Sequence, residues 1–254
     1  MNIKIEKSKI KRIQLGDDNY PEKLKNIYCK PQDLYLIGNE ELLHCKSIAI
    51  IGCRDCTDYG KKNSYKFGYE LARKGICVIS GLARGIDTFA NIGALKAKGK
   101  TLAVLGCGLD IVYPPENVSL YQEILKNGGA ILTEYPIGTK PEKYNFPARN
   151  RIISGLSDGV LVIEAKQRSG TSITVDHALE QGKDVYAIPG NISSISSYGT
   201  NELIKEGAIP VTTVEDIMIW EMGTGVFVTK MVIEDRCKSD KVSQKHLSPK
   251  WQKR

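Results

Sequence analysis

No apolar run in these 254 residues approaches the roughly 18 needed to cross a bilayer. The N-terminal stretch MNIKIEKSKIKRIQLGDDNY carries charge but no apolar segment of the kind a secretory leader needs. No membrane partner is therefore expected, and the expected compartment is the cytoplasm. Histidine is scarce, with only His44, His177 and His246, and the single CxxC, Cys53 and Cys56, has no second ligand pair. That excludes the usual tetrahedral zinc arrangements, and no metal is expected. The seven cysteines are an odd number. Cys77 in ICVIS and Cys107 in AVLGCG sit within apolar runs, where a thiol reads as a small buried hydrophobe rather than half of a disulfide.

Nucleotide fingerprints are missing too. There is no GxxxxGK[ST], which removes P-loop hydrolysis. The first strand–helix turn, GCRDCTDYG, offers one glycine before Arg54 where a dinucleotide site wants GxGxxG, so no nicotinamide and no other cofactor is expected. Internal repeats are absent. Basic charge is also thinner than the net +7 suggests: residues 236–254 hold seven Lys or Arg against one acid, Asp240, and so account for +6 of it. A polyanion site in the rest of the chain must come from locally placed cations.

What is present is an alternation. SIAIIG (47–52), ICVISG (76–81), TLAVLG (101–106), AILTE (130–134), GVLVIEA (159–165) and DVYAIPG (184–190) read as buried strands. Helical patterns fall between and after them, at 59–74, 85–98, 117–127, 149–156, 171–182 and 200–206. A last strand at 208–212 and a helix near 214–221 complete the series. The pattern predicts an α/β, Rossmann-like fold, a mostly parallel sheet with helices on both faces. Residues 1–46 read as a small α-helical or irregular lead-in, 47–221 as the Rossmann-like domain, and 222–254 as a basic, disordered tail.

In such a sheet ligands bind at the carboxyl ends of the strands. Those ends here carry Gly52-Cys53-Arg54, then Gly81 with Arg84 and Gly85, then Gly106 and Gly108, and finally Gly170-Thr171-Ser172 at a helix start. Glycine beside Ser, Thr or Arg lets backbone N–H groups approach phosphate oxygens, and a helix N-terminus favours the anion. Several such loops on one edge point to a phosphate-bearing ligand. The stretch EYPIGTKPEKYNFPARNRIISGLS (134–157) gathers Lys140, Lys143, Arg149 and Arg151 around Tyr144 and Phe146. Cations interleaved with aromatics suit single-stranded nucleic acid, whose bases stack on rings. On chemistry alone the same residues read equally well as a core phenylalanine and a solvated arginine face. Because Pro147 follows Phe146, the sequence predicts an extended loop there, with the rings of Tyr144 and Phe146 on one side.

SGLARGID (80–87), GCGLDIVYP (106–114), TEYPIGTKP (133–141), NFPARNRIISGLS (145–157), VIEA (162–165), RSGTSIT (168–174), YAIPG (186–190) and TNELIKEGA (200–208) together resemble the DprA/Smf DNA-processing family over about residues 18–217. The resemblance implies a non-enzymatic bacterial protein that binds single-stranded DNA, protects incoming DNA and helps load RecA recombinase during natural transformation. It implies a homodimer formed near residues 200–217. It places the family's glycine-serine-arginine turn on Gly52, Cys53 and Arg54, its lysine–phenylalanine pair on Lys143 and Phe146, and its paired arginines on Arg149 and Arg151. With the strand-end loops, the expected single-stranded DNA contacts are Gly52, Arg54, Gly81, Arg84, Gly85, Lys143, Phe146, Arg149, Asn150, Arg151, Gly170, Thr171 and Ser172. Cys53 stands where the family has serine, which keeps the size but weakens a hydroxyl contact. Against the family pattern the chain reads as trimmed, without room for the N-terminal helix-hairpin module or the C-terminal winged helix. The competing reading is a nucleotide N-glycosidase of the lysine-decarboxylase-like Rossmann group. Its PGGxGT loop is not matched by PGNISS (189–194), and Glu134 and Glu164 are expected to hydrogen-bond loop amides instead of doing acid–base work.

Overall fold

The computed structural model describes residues 1–167 and 169–219. The tail at 222–254, with its basic stretch 236–254, and Arg168 lie outside the described residues. One nine-stranded sheet organises the chain. Its strands are β1 (Lys11–Gln14), β2 (Asp33–Gly38), β3 (Ser47–Ile51), β4 (Cys77–Ser80), β5 (Thr101–Val104), β6 (Ala130–Thr133), β7 (Gly159–Val162), β8 (Asp184–Ala187) and β9 (Ile209–Pro210). They lie in the order β1-β2-β6-β5-β4-β3-β7-β8-β9. Pairing is parallel from β6 across to β9, and antiparallel only where β2 meets β6 and β1 meets β2. The Rossmann-like fold is as the alternation predicts.

The helices are α1 (Glu22–Lys25), α2 (Asp58–Arg73), α3 (Ile86–Lys96), α4 (Val118–Lys126), α5 (Asn145–Leu156), α6 (Gly170–Glu180), α7 (Tyr198–Lys205) and α8 (Val214–Ile219). Strand periodicity divides them between the faces. In β3 every residue is buried. Ala49 and Ile51 pack with Ile152, Ile153 and Leu156 of α5 and with Val175 and Ala178 of α6. Ile48 and Ile50, one residue out of phase, pack with Phe67 and Leu71 of α2, Ala90 and Ala94 of α3, and Val214 and Ile217 of α8. A strand covered on both faces reads as a continuous apolar run, which is how SIAII appears in the sequence. Among the described residues no helix is long and apolar enough to cross a membrane.

The α-helical or irregular lead-in expected for residues 1–46 is corrected by the structure. β1 and β2 extend the sheet beyond β6, with Tyr35 opposite Thr133 and Ile13 opposite Leu34. Tyr20 and Leu24 of the same segment are buried, and the Tyr20 hydroxyl donates to Pro31 O at 2.8 Å. The strands were hard to see because β1 buries only Ile13 of its four residues. Its remaining side chains are the charged and polar ones that suit an edge.

α2 and α3 meet almost backbone to backbone. A Cβ on Gly68 would lie 2.3 Å from Ala90 O, which no rotamer change relieves. Gly68→Ala should therefore destabilise the protein by about 1–3 kcal/mol, as overpacking does. Gly170→Ala, where nothing lies within 4 Å, should leave the melting temperature close to that of the parent. Thermal unfolding followed by circular dichroism compares the two.

Candidate nucleic-acid interface

After β3 the chain runs onward to β4, β5 and β6 on one side, then returns across the sheet to place β7 on the other side of β3. Such a switch opens a crevice at the strands' carboxyl ends. A cleft of about 410 Å³ occupies it, lined among others by Gly52, Cys53, Arg54, Asp87, Phe146, Arg149, Asn150, Lys166, Ser169, Gly170 and Thr171.

Close approach of backbones forms its floor. A Cβ on Gly52 would sit 2.7 Å from Ile86 Cγ1 and 2.8 Å from Glu164 O. Gly85 has φ of +72°, and a Cβ there would strike Cys53 O at 2.3 Å and Arg54 O at 2.4 Å. Only glycine satisfies both the left-handed backbone and the contact. The Cys53 amide donates to Glu164 O at 3.0 Å, and the Ile86 amide to Cys53 O at 3.2 Å. The Cys53 side chain is buried, and burial pushes its thiol pKa up. It lines the cleft from within the floor.

The expected cations fall into two groups. Arg149 is 4% exposed and does not offer a free charge. Its Nη1 donates to Gly81 O at 2.8 Å and to Val104 O, and Asp87 is its neighbouring anion. The Asp87 carboxylate accepts from the amides of Gly81 at 2.9 Å and Ala83 at 3.3 Å. Burial pushes the Arg149 pKa down to about 10 and raises that of Asp87, while each charge favours the other's ionised form. Arg151 points elsewhere. Its Nη1 and Nη2 donate to the two oxygens of Glu134, both at 2.6 Å, and Nε donates to Cys29 O at 2.8 Å. Both arginines, expected from the sequence to meet phosphates, are thus engaged within the protein: a helical Arg-Asn-Arg turns them to different sides, Arg149 to the ends of β4 and β5 and Arg151 to Glu134 just after β6.

Arg54, by contrast, is exposed, and its guanidinium lies 5.3 Å from the Phe146 ring centroid. Arg84 is exposed and paired with Glu116 at the surface. Lys143 is exposed beside the 73%-exposed Tyr144 and does not line the cleft. Asn150 lines the cleft and accepts from Arg149 Nε at 3.3 Å. Lys166, which the sequence reading passed over, lines the cleft from the loop after β7, with Asp55 Oδ2 3.4 Å away. Its signal was a cation two residues beyond Glu164 on a strand-end loop.

Phe146 is not on the extended loop expected from Pro147. It belongs to the first turn of α5, where a proline sacrifices only an N–H that has no intrahelical acceptor. Buried Asn145 anchors that turn by donating to Gly106 O at 3.0 Å and Lys140 O at 3.3 Å. Tyr144 and Phe146 therefore do not share a side. The half-buried Phe146 ring instead rests near Gly106 and meets the Tyr113 ring at 5.3 Å and 37°.

The opposite wall is the start of α6. Gly170 is open, Thr171 is buried, and the Ser172 hydroxyl donates back to Ser169 O at 2.6 Å. Ser169 Oγ is buried without a hydrogen-bond partner among the described residues. Of the two carboxylates, Glu164 accepts from the Thr57 amide at 2.9 Å and from its hydroxyl, as expected for loop support. Glu134 is held by Arg151 rather than by loop amides.

A crevice at the topological switch point, floored by glycine loops and walled by a helix N-terminus, defines a Rossmann-like α/β domain. The family model described as DNA recombination-mediator protein A matches residues 11–221, and the chain belongs to that family, DprA/Smf. It is 46% identical to DNA processing protein DprA of Streptococcus pneumoniae over 80% of this chain and 71% of that protein. With Protein Smf of Escherichia coli the identity is 44% over 81% of this chain and 55% of that protein. The X-ray structure of the pneumococcal protein superposes with a TM-score of 0.79 at 43% identity, covering 87% of this chain and 76% of that one. DNA processing protein A from Helicobacter pylori, whose structure is described in terms of its single-stranded DNA binding mode, superposes with a TM-score of 0.75 at 32% identity. There the coverage is 84% of this chain and 95% of that one.

The two groups of arginines should separate in a melting experiment. Arg149→Met leaves Asp87 buried and unpaired and should cost about 3–5 kcal/mol. Arg151→Ala breaks a bidentate, mostly buried pair and should cost about 1.5–3 kcal/mol. Arg54→Ala and Lys143→Ala should stay within about 0.5 kcal/mol of the parent.

Proposed function

We propose that the cleft binds single-stranded DNA without sequence preference. The observation that carries this reading is the Arg54–Phe146 pair: an exposed guanidinium lies over a half-buried ring in a crevice walled by glycine loops. The guanidinium over the ring belongs to an exposed side chain, so an arriving base displaces it and stacks in its place. Arg54 then reaches the neighbouring backbone phosphate, and Lys166 and the α6 N-terminus, with a Ser169 hydroxyl that has no partner among the described residues, meet the next. Gly52, Gly81 and Gly85 let the floor loops pack directly on their protein neighbours and so fix the cleft's shape, and Arg84 and Lys143 serve as outer charges.

In this reading the protein is a binder and not an enzyme. Glu164 is occupied by Thr57 and Glu134 by Arg151, which supports the non-catalytic reading. His177 contacts Glu180 on α6, away from the strand-end loops. Membership of the family and the Helicobacter pylori relative's single-stranded DNA binding support the choice of ligand. Protection of incoming DNA, RecA loading in natural transformation, homodimer formation and a cytoplasmic site of action belong to the same proposal.

Gel shifts with single-stranded and duplex oligonucleotides test it. Phe146→Ala should weaken single-strand binding about tenfold, since stacking contributes about 1–3 kcal/mol per base, and leave the salt slope unchanged. Arg54→Ala should weaken binding to all sequences and flatten the slope of log affinity against log salt by about 0.7. Equal losses on duplex and single strand for Phe146→Ala would overturn the stacking role. Incubation with nucleoside monophosphates should release no free base.

A further inference from the structure

The outward face of α2 carries a pattern that the cleft does not use. Lys62, Tyr65, Lys66, Tyr69 and Arg73 are spaced three, four, seven and eleven residues from the first, so they form one stripe along the helix. Lys62, Tyr65, Lys66 and Arg73 are exposed and Tyr69 is half-buried. The two tyrosine rings are stacked, 6.2 Å apart with planes 14° from parallel. The Arg73 guanidinium lies 6.0 Å from the Tyr69 ring centroid, which continues the layer of flat groups.

We propose that this stripe is a second contact for single-stranded nucleic acid, taking up the strand after it leaves the cleft. The proposal rests on the cleft being a single-strand site. Three features favour it over an ordinary solvated helix face. First, Lys62, Lys66 and Arg73 form no ion pair among the described residues, although Lys62 feels the charge of Asp58, whereas the flanking Lys61 and Lys74 are paired with Asp58 and Glu215. On α2 the unpaired cations all lie on the stripe. Second, the platform is rigid at its root. A Cβ on Gly93 of α3 would lie 2.3 Å from Tyr65 O and 2.9 Å from Tyr69 N, so the backbone beneath both rings is pressed against α3. Third, the stripe is continuous in the chain with the cleft. α2 begins four residues after Arg54 and, at 16 residues, runs about 24 Å from that loop.

The chemistry selects a single strand rather than a duplex or an acidic protein. Cations alone serve any polyanion, but stacked rings gain only from bases whose faces are free. A strand short enough to be filled by the cleft does not reach the stripe, so the stripe acts through length.

The test uses the full chain with oligothymidylates of about 6 and about 24 nucleotides, within and beyond the span of one binding groove. Substituting Lys62→Glu, Lys66→Glu and Arg73→Glu together should leave the short oligonucleotide's affinity unchanged. It should weaken the long one at least about tenfold and flatten its salt slope by about 2, at 0.7 for each of three phosphates. Tyr65→Ala with Tyr69→Ala should weaken the long single strand, leave its salt slope intact and leave duplex binding unchanged. Glutamine at the three basic positions repeats the measurement with a milder change, should charge reversal disturb folding. Unchanged long-strand binding in both sets overturns the proposal and leaves the stripe to an acidic protein partner. Equal losses on duplex and single strand, with no effect of the tyrosines, overturn it too. Failure of the cleft reading shows separately, as short-oligonucleotide binding that survives loss of both Arg54 and Phe146.

Discussion

A single buried guanidinium holds the functional edge of this sheet together. Arg149 reaches from α5 into the gap between the carboxyl ends of β4 and β5 and satisfies carbonyls on both, at Gly81 and Val104. Asp87, at the start of α3, collects the Gly81 and Ala83 amides on the other side of the same loop. A Cβ on Gly81 would lie 2.6 Å from Arg149 Nη2 and 2.7 Å from Asp87 Oδ2, so the loop is threaded between the two charges. Buried ions are costly unless paired and hydrogen-bonded, and this one is both. The consequence is positional. α5 is pinned so that its first turn, with Phe146, faces the loop that carries Arg54.

The charged residues of the region thus divide by partner rather than by proximity. Arg149 and Arg151 are consumed by carbonyls and carboxylates. Arg54 lies against a ring, and Lys166 pairs with a highly exposed Asp55. Cations without buried partners are the ones that a polyanion can recruit at little cost, since no existing interaction must break. A site with a modest overall charge can still bind a polyanion when its few free cations are concentrated in one crevice.

Much of this was legible in the sequence. The alternation of apolar runs and helical patterns located β3 through β9 and α2 through α8, because strands buried on both faces leave unbroken Val, Ile, Leu and Ala segments. Strand-end glycines located the cleft, and the motifs located the family. β1 escaped because an edge strand that buries only Ile13 leaves no apolar run, and β2 because its run is broken by half-buried Asp33 and Tyr35 and flanked by no helical pattern of the βα kind. The helical state of Phe146 escaped because the local preference of a residue before proline was outweighed by tertiary anchoring through Asn145. The fates of Arg149 and Arg151 escaped for a different reason. A residue type announces charge, but whether that charge is spent inside the fold depends on carbonyls and carboxylates brought from distant parts of the chain, such as Val104 and Glu134.

The seat of Gly85 against Cys53 and Arg54 has one further consequence. Two loops from different strands share a van der Waals surface with no side chain between them, and an amide of one bonds a carbonyl of the other. Neither can rise or fall alone. Backbone displacement of the Arg54 loop by a bound strand would be passed directly to the first turn of α3, which starts at Ile86. Substitutions in the two loops should accordingly be energetically coupled, with combined effects on stability that depart from simple addition.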